Sequence, residues 1–530
     1  MWARRPTADP GSQRGQGRAL AAVCAVLFLT FLDTTIVSVT LGTVQSDLHA
    51  GVTSLQWIVN AYALLFAALM LTGGTLGDRY GRRKLMLGGV GVFAAGSLLG
   101  ALAPSVGVLI GARALMGVGA AASEPGTLSV LRHVYPEQRA RARAYGIWAA
   151  VTGLALASGP LVGGALVGAA GWRAVFWFNL AVSLVLVPVT WRLVPESSDP
   201  DSARLDLPGL VLGAVAVGAL AFAIIGGETA GYTSGRIEGL LLVAVLAGGA
   251  FVVVERRSAS PMLNLRYFRI PAFSSALLVV FAVYFGIFSI FFFTALYLEE
   301  VVGYSGYRAA AEFALMAAAL VAGSLLAGRW VARSGPGAPM AYGCLLAAVG
   351  ILVTEHFLPL HPRFWPLAVS LAIAGFGFGI AIVPVTASVM SLVPPEHSGM
   401  AASATNTSRE LGAVFGVAVL GALVNAHLTS DLTARLNALG IPANFQSIVI
   451  GAVETGKVPS ADKAHQSAQS YGPIAQRVIE AAYGAFHRGL DTALVTSAVL
   501  ILAAGAIGML AARTEEEGSG TWSPASPGGN

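Results

Sequence analysis

Five charged residues lie deep inside long apolar runs: Asp33, Arg113, Glu124, Arg409 and Glu410. A charge at the centre of a bilayer costs about 2.5–3.5 kcal/mol on insertion scales, so each one marks a candidate proton, ion or substrate site. Asp33 is the sharpest case, because it is the only charge in the run from Ala19 to Leu41. At 1.5 Å per residue, Asp33 lies about 21 Å, and Arg113 about 27 Å, from the helix ends expected to face the cytoplasm. Allowing for tilt, the two side chains can pair. A cation beside a carboxylate favours its charged form, and withdrawal of the cation favours the neutral form. Alternation between those situations is what a proton-coupling site requires.

Glu124 follows Arg113 by eleven residues, on nearly the same helix face, about 10 Å from the same end. It is a second candidate for a proton or a substrate cation. The alternative is an acid snorkelling at the mouth of a cavity. Glu410 lies about 15 Å deep beside Arg409. Sequence neighbours on a helix do not face each other, so these two are expected to bond to different helices. Glu410 joins the proton-coupling candidates, whereas Arg409 reads as structural. Glu299, Glu300 and Glu312 fall near a span end and read as interfacial acids. Trp57, Tyr62, Trp148 and Phe291–Phe293 could stack on a flat or cationic ligand, but membrane-facing roles are the more ordinary reading.

The elements that must position these charges are transmembrane helices. The chain has 530 residues, 55% hydrophobic and 11% charged, with a mean hydropathy of +0.72. Soluble domains carry about 25% charged residues. The apolar runs are about 20 residues long and do not alternate, which selects helices over a membrane barrel. Fourteen spans are expected, at 19–41, 55–76, 85–103, 106–131, 144–168, 174–194, 206–227, 237–255, 272–298, 309–331, 338–357, 365–392, 401–425 and 489–512.

An offset of 259 residues aligns Pro125 with Pro384, Pro136 with Pro395, Glu137 with Glu396 and Gly153 with Gly412. Parallel repeats of this kind build transporters from two related halves. The expected organisation is an N-terminal tail (1–18), a six-span bundle (19–194), a polar linker (195–205) and an inserted pair of spans (206–255). A second six-span bundle (272–512) follows, interrupted by a long outer loop (426–488), and then a tail (513–530). Helix-like stretches near 428–438 and 473–487 are expected within that loop, where they could cover an outward cavity.

With the N-terminus inside, the inner segments hold about 21 of the 32 lysines and arginines and the outer ones about 9. The positive-inside pattern therefore places both termini in the cytoplasm. The first apolar run, about 23 residues, is long enough to span and is read as uncleaved. Cys24 and Cys344 fall in separate apolar runs and imply no disulfide framework.

The loop "GGTLGDRYGRRK" (73–84) joins spans 2 and 3. It resembles the signature loop of the major facilitator superfamily, G-x-L-x-D-R-x-G-R-[RK]-[RK]. "RALMGVGAA" (113–121) resembles that family's fourth-span motif, with Met116 in place of Gln. "ASGPLVGGAL" (157–166) resembles the fifth-span antiporter motif. "FLDTTIVSVTLG" (31–42) resembles the first-span motif of the fourteen-span drug:proton antiporters (QacA/EmrB-type), with Ser38 and Gly42 replacing Asn and Pro. "YLEEVVGYSGYRAA" (297–310) and "GMAASATNTSRELG" (399–412) resemble two further blocks, the second with Glu410 where Gln is usual.

The resemblance implies a major facilitator fold, all-α, of two six-helix bundles plus two inserted spans. It implies that the signature loop locks one access state through Asp78 and Arg79, with Gly74, Gly81, Arg82 and Arg83 completing the motif. It also implies close packing and bending at Gly159, Pro160, Gly163 and Gly164, where proline removes a backbone hydrogen bond. Arg409 matches the family block.

No P-loop, metal-ligand spacing or Ser-His-Asp set is present, so neither an enzyme, a metal nor a cofactor is expected. The basic excess follows the loops rather than a nucleic-acid face. The resulting expectation is a monomeric, multi-pass transporter in the cell membrane that uses protons as coupling ion. It would export drugs or other small amphipathic or cationic molecules. The alternatives are a dedicated exporter of one antibiotic or metabolite, and, from another class, a membrane receptor or membrane-embedded enzyme.

Overall fold

The computed structural model describes residues 13–519 except 51, 199–205, 259–260, 262, 299–301, 303, 305, 359–361, 395–396, 440, 443–445 and 447–460. Every regular element among the described residues is helical. In a bilayer core no water is available to bond the backbone, so apolar runs of this length must satisfy their own N–H and C=O groups as helices.

The first part of the chain forms α1 (Gln13–Ile36), α2 (Leu41–Leu48), α3 (Val52–Tyr80), α4 (Arg82–Ala101), α5 (Val106–Ser123), α6 (Pro125–Val134), α7 (Gln138–Ala170) and α8 (Arg173–Leu193). Two helices follow, α9 (Leu207–Ala230) and α10 (Gly235–Arg257). The remainder forms α11 (Pro271–Leu296), α12 (Gly306–Ser334), α13 (Gly337–His356), α14 (Phe364–Ser391), α15 (Ser398–Ala438) and α16 (Ala461–Ser519). Among the described residues, 13 helical segments are long and apolar enough to cross a membrane, and the bent α7 brings the number to 14. That agrees with the fourteen expected spans.

Helices α1 to α8 pack chiefly on one another, and α11 to α16 do the same. The two groups meet along a seam where α3 and α6 face α15, and α7 faces α12 and α14. Helices α9 and α10 pair with each other, and α9 rests on both α3 and α15. Its Phe222 ring lies 4.8 Å from Trp57. The start of α9 is fixed by Asp206, whose side chain accepts a hydrogen bond of 2.8 Å from the Gly209 backbone.

Two details differ from expectation. The first span does not run as one regular helix over 19–41. It tightens into a 3-10 turn over Val37–Thr40 before continuing as α2. The cause is local: the Ser38 and Thr40 hydroxyls each donate to the carbonyl three residues back, at 2.7 Å, within a run of β-branched residues. The helix-like stretches of the 426–488 loop are also not separate elements. Residues 428–438 are the end of α15, and 473–487 belong to α16. Leu428, Leu432 and Leu436 pack on Ala481, Ala482 and Ala485 as a small core of their own. An ion pair between Arg488 and Asp431 ties the two helices together. These stretches thus form a paired extension of two spans, and most of the central part of the loop, where a cover over a cavity was also expected, lies outside the described residues.

Candidate functional site

Asp33 sits where α1, α5 and α8 converge. Arg113 Nη1 donates to Asp33 Oδ2 at 2.5 Å, and Asn179 Nδ2 donates to Asp33 Oδ1 at 2.6 Å. The ion pair is sealed, with side-chain exposures of 1% for Arg113 and 0% for Asp33. Arg113 is held from two further sides. Its Nε donates to the Ile58 carbonyl at 3.0 Å, and its guanidinium lies 4.5 Å over the Tyr62 ring. The Tyr62 hydroxyl in turn donates to the Thr30 carbonyl, one turn before Asp33, at 3.0 Å. The depth arithmetic anticipated the Asp33–Arg113 pairing. Asn179 was missed, although an amide inside "VFWFNLAV" was a legible signal in an otherwise apolar span.

Glu124 occupies the break between α5 and α6, where Pro125 begins a new helix. Its carboxylate meets Arg409 of α15, whose Nη2 donates to Glu124 Oε1 at 2.5 Å. Arg409 Nε also donates to Glu410 Oε1 at 3.3 Å. The expectation that Arg409 and Glu410 bond to different helices is therefore corrected. The arginine side chain is long enough to reach both Glu124 across the seam and its own neighbour. Arg409 lies 4.6 Å from the Phe31 ring centre, 6.0 Å from Trp148 and 5.5 Å from Tyr284.

The signature loop lies at one end of the seam. Arg82 donates twice to Asp78 Oδ1, at 3.0 and 2.7 Å. Its Nη2 also reaches Ser398 Oγ in the other half, at 2.9 Å. Arg82 thus bonds the acid of the motif, and Arg79 lies 5.6 Å over the Tyr80 ring. A side-chain carbon on Gly399, at the start of α15, would fall on the Asp78 carboxylate. Asp78 thus sits at a helix N-terminus, where a negative charge is favoured. Gly74 packs so closely on Ser403 and Gly399 that no larger residue fits there. Gly81 has φ +107°, a conformation open to glycine, and its Cα faces Glu196. Glu196 accepts from the Arg83 backbone at 3.1 Å and pairs with its side chain at 3.7 Å. The first residues of the polar linker therefore dock on the signature loop.

The span 5 motif lies at a bend in α7. The segments Gln138–Leu156 and Leu161–Ala170 of α7 meet at a 40° bend around Gly159 and Pro160. A side-chain carbon at Gly159 would collide with Thr35 Oγ1, and one at Gly163 would lie 2.9 Å from the Ile36 carbonyl. Gly164 is half-buried on the same helix. Glu312, read as interfacial, is buried, and among the described residues neither of its carboxylate oxygens has a hydrogen-bond partner. Glu299 and Glu300 lie outside the described residues. No group of three metal-ligating side chains occurs among the described residues.

Residues 23–417 match the family model described as Major Facilitator Superfamily. The chain belongs to the Major Facilitator Superfamily. As a facilitator it is a multi-pass membrane transporter and not an enzyme. It is 34% identical over 467 residues to the multidrug resistance protein Stp of Mycobacterium tuberculosis, covering 88% of this chain and 85% of that one. It is 34% identical over 415 residues to a methylenomycin A resistance protein of Streptomyces coelicolor, covering 78% and 86%. The crystal structure of the human organic anion transporter MFSD10 superposes with a TM-score of 0.59 at 15% identity, covering 93% of this chain and 99% of that one. At that identity the likeness concerns the facilitator fold alone.

Proposed function

We propose that this facilitator is a proton-coupled exporter of small organic molecules, a drug efflux transporter of the cell membrane with both termini in the cytoplasm. The observation that carries the coupling is the sealed Asp33–Arg113–Asn179 cluster. With Asp33 ionised, the ion pair is neutral. A proton on Asp33 leaves Arg113 unbalanced, and the cluster then carries a net charge of about +1 in a low-dielectric interior. Such a change favours a different packing of α1, α5 and α8, which couples proton arrival to helix movement.

The alternating motion is a rocking of the first six spans against the last six, with α7 bending at Gly159–Pro160. In the present arrangement the halves meet at the signature-loop end, through Arg82 and Ser398 and through Arg132, which donates to the Val393 carbonyl at 2.5 Å. If that end faces the cytoplasm, the arrangement is closed inward. An apolar pocket between the halves, lined by Leu156, Phe288, Phe291, Phe313 and Met316, suits an amphipathic substrate. Kinship with named drug-resistance proteins supports efflux as the direction. Relatives named for resistance to single antibiotics, methylenomycin A and tetracenomycin C, favour a second reading, a dedicated antibiotic exporter.

Everted vesicles acidified inside and challenged with a panel of dyes and antibiotics test the proposal. Release of luminal protons on addition of several unrelated compounds supports drug efflux. Release with a single compound class supports the dedicated exporter. No release with any compound rejects both.

A further inference from the structure

A second buried charge cluster plays no part in holding Asp33. Glu124 and Arg409 form an ion pair across the seam with side-chain exposures of 0% and 2%. Among the described residues, Glu124 Oε2, Arg409 Nη1 and both polar atoms of Asn406 have no hydrogen-bond partner. A buried ion pair serving only stability needs those remaining sites filled. Arg409 also lies among the rings of Phe31, Trp148 and Tyr284. The Arg409 guanidinium therefore lies between a carboxylate and aromatic faces, which is the chemistry that recognises an organic cation.

The division of these residues between the halves is informative. Glu124, Phe31 and Trp148 belong to the first six spans, whereas Arg409, Glu410 and Tyr284 belong to the last six. We propose that Glu124, Phe31 and Trp148 form the subsite for a cationic group of the substrate, and that Arg409 is its tethered occupant. The inference rests on the export reading and specifies how substrate is released. When the halves meet at the signature-loop end, Arg409 fills the subsite. When they part there, Arg409 withdraws with α15 and keeps Glu410, its neighbour at 3.3 Å, as counter-ion. Glu124 is then left alone with its charge and takes an ammonium, phosphonium or planar aromatic cation from the opened side. Closure returns Arg409 to Glu124 and displaces the cation toward the opposite side. Glu410 thereby stays paired in both arrangements, whereas Glu124 exchanges Arg409 for its ligand and the return stroke expels that ligand. Glu410 is a positioning residue for Arg409 in this scheme.

The test uses purified full-length protein in lipid nanodiscs, with tetraphenylphosphonium as the probe and its dissociation constant as the readout. Arg409→Ala removes the competitor and is expected to tighten binding at least tenfold while slowing export in vesicles. Glu124→Gln is expected to weaken binding at least tenfold. Trp148→Ala leaves both charges in place and is expected to weaken binding about 3- to 30-fold. Unchanged or weaker binding by Arg409→Ala overturns the proposal, as does unchanged binding by Trp148→Ala or the absence of probe binding to every variant. If Arg409→Ala does not purify as a folded protein, Trp148→Ala decides the matter alone. Wild-type vesicles that export compounds of the panel while the binding test fails sink the cation subsite and spare the export reading. Wild-type vesicles that export nothing sink the export reading itself.

Discussion

Ser398→Ala isolates the bond that spans the seam at the signature loop. Ser398 is 1% exposed, and its hydroxyl accepts from Arg82 Nη2 at 2.9 Å. The substitution leaves both Arg82–Asp78 bonds and the Arg82 Nη1 contact to Ser197, at 3.4 Å, within the first half. It therefore removes a contact made only while this end is closed. A hydrogen bond to a charged group contributes about 1.5–3 kcal/mol. Losing it multiplies the open-to-closed ratio about 10- to 150-fold, because only the closed state is weakened. Electron–electron distance measurements between spin labels at Tyr80→Cys and Tyr342→Cys report the ratio. These positions are 54% and 59% exposed, one in each half. Cys24 and Cys344, both buried, are replaced by alanine in the background. A longer-distance population should grow in Ser398→Ala relative to the parent. An unchanged distribution would refute the reasoning, because the bond would then contribute nothing to closure.

Asn179→Leu removes one of the two side chains bonded to Asp33 and should cost about 1.5–3 kcal/mol of stability, read as a lowered melting midpoint in detergent; an unchanged midpoint contradicts the role given to the amide. Gly81→Ala places a side chain at φ +107° against Glu196 and should cost about 1–3 kcal/mol; Glu196→Ala in the same chain relieves the steric part alone, so the double variant should recover only part of the loss. Gly159→Val drives a branched side chain into Thr35 and should lower stability by about 1–3 kcal/mol or more and suppress export; wild-type export by this variant contradicts the close α1–α7 approach. Deleting 443–460 keeps the paired ends of α15 and α16 and should leave efflux and substrate range unchanged, whereas Leu432→Asp in their shared core should reduce the folded yield.

The helices were the easiest feature to read, because long uncharged runs admit little else in a bilayer. Asp33 and Arg113 were found as a pair because depth along a helix is simple arithmetic once the spans are placed. Glu124 and Arg409 were each visible as buried charges, but their contact was not. They come from different halves, and span depth carries no information about which helix faces which across the seam. The Arg82–Asp78 bond was hidden for a similar reason. Arg82 also contacts Ser197 and Ser398, which are remote in sequence and so could not be matched to it from the loop alone. The burial of Glu312 was not legible, because a position near a span end does not tell which neighbouring helices cover it. The tight turn at Val37–Thr40 follows from hydroxyls competing for backbone carbonyls, which hydropathy does not register.

The central claim is that Asp33 carries the coupling proton. It is tested most directly by recording proton and substrate movement together in everted vesicles containing wild-type protein or Asp33→Asn at matched amounts. The asparagine keeps the size of the site and one acceptor oxygen for the two donors, Arg113 and Asn179, but cannot release a proton. The account predicts that substrate addition moves protons in wild type and none in Asp33→Asn, while the variant still binds substrate. Undiminished proton movement by Asp33→Asn would contradict it.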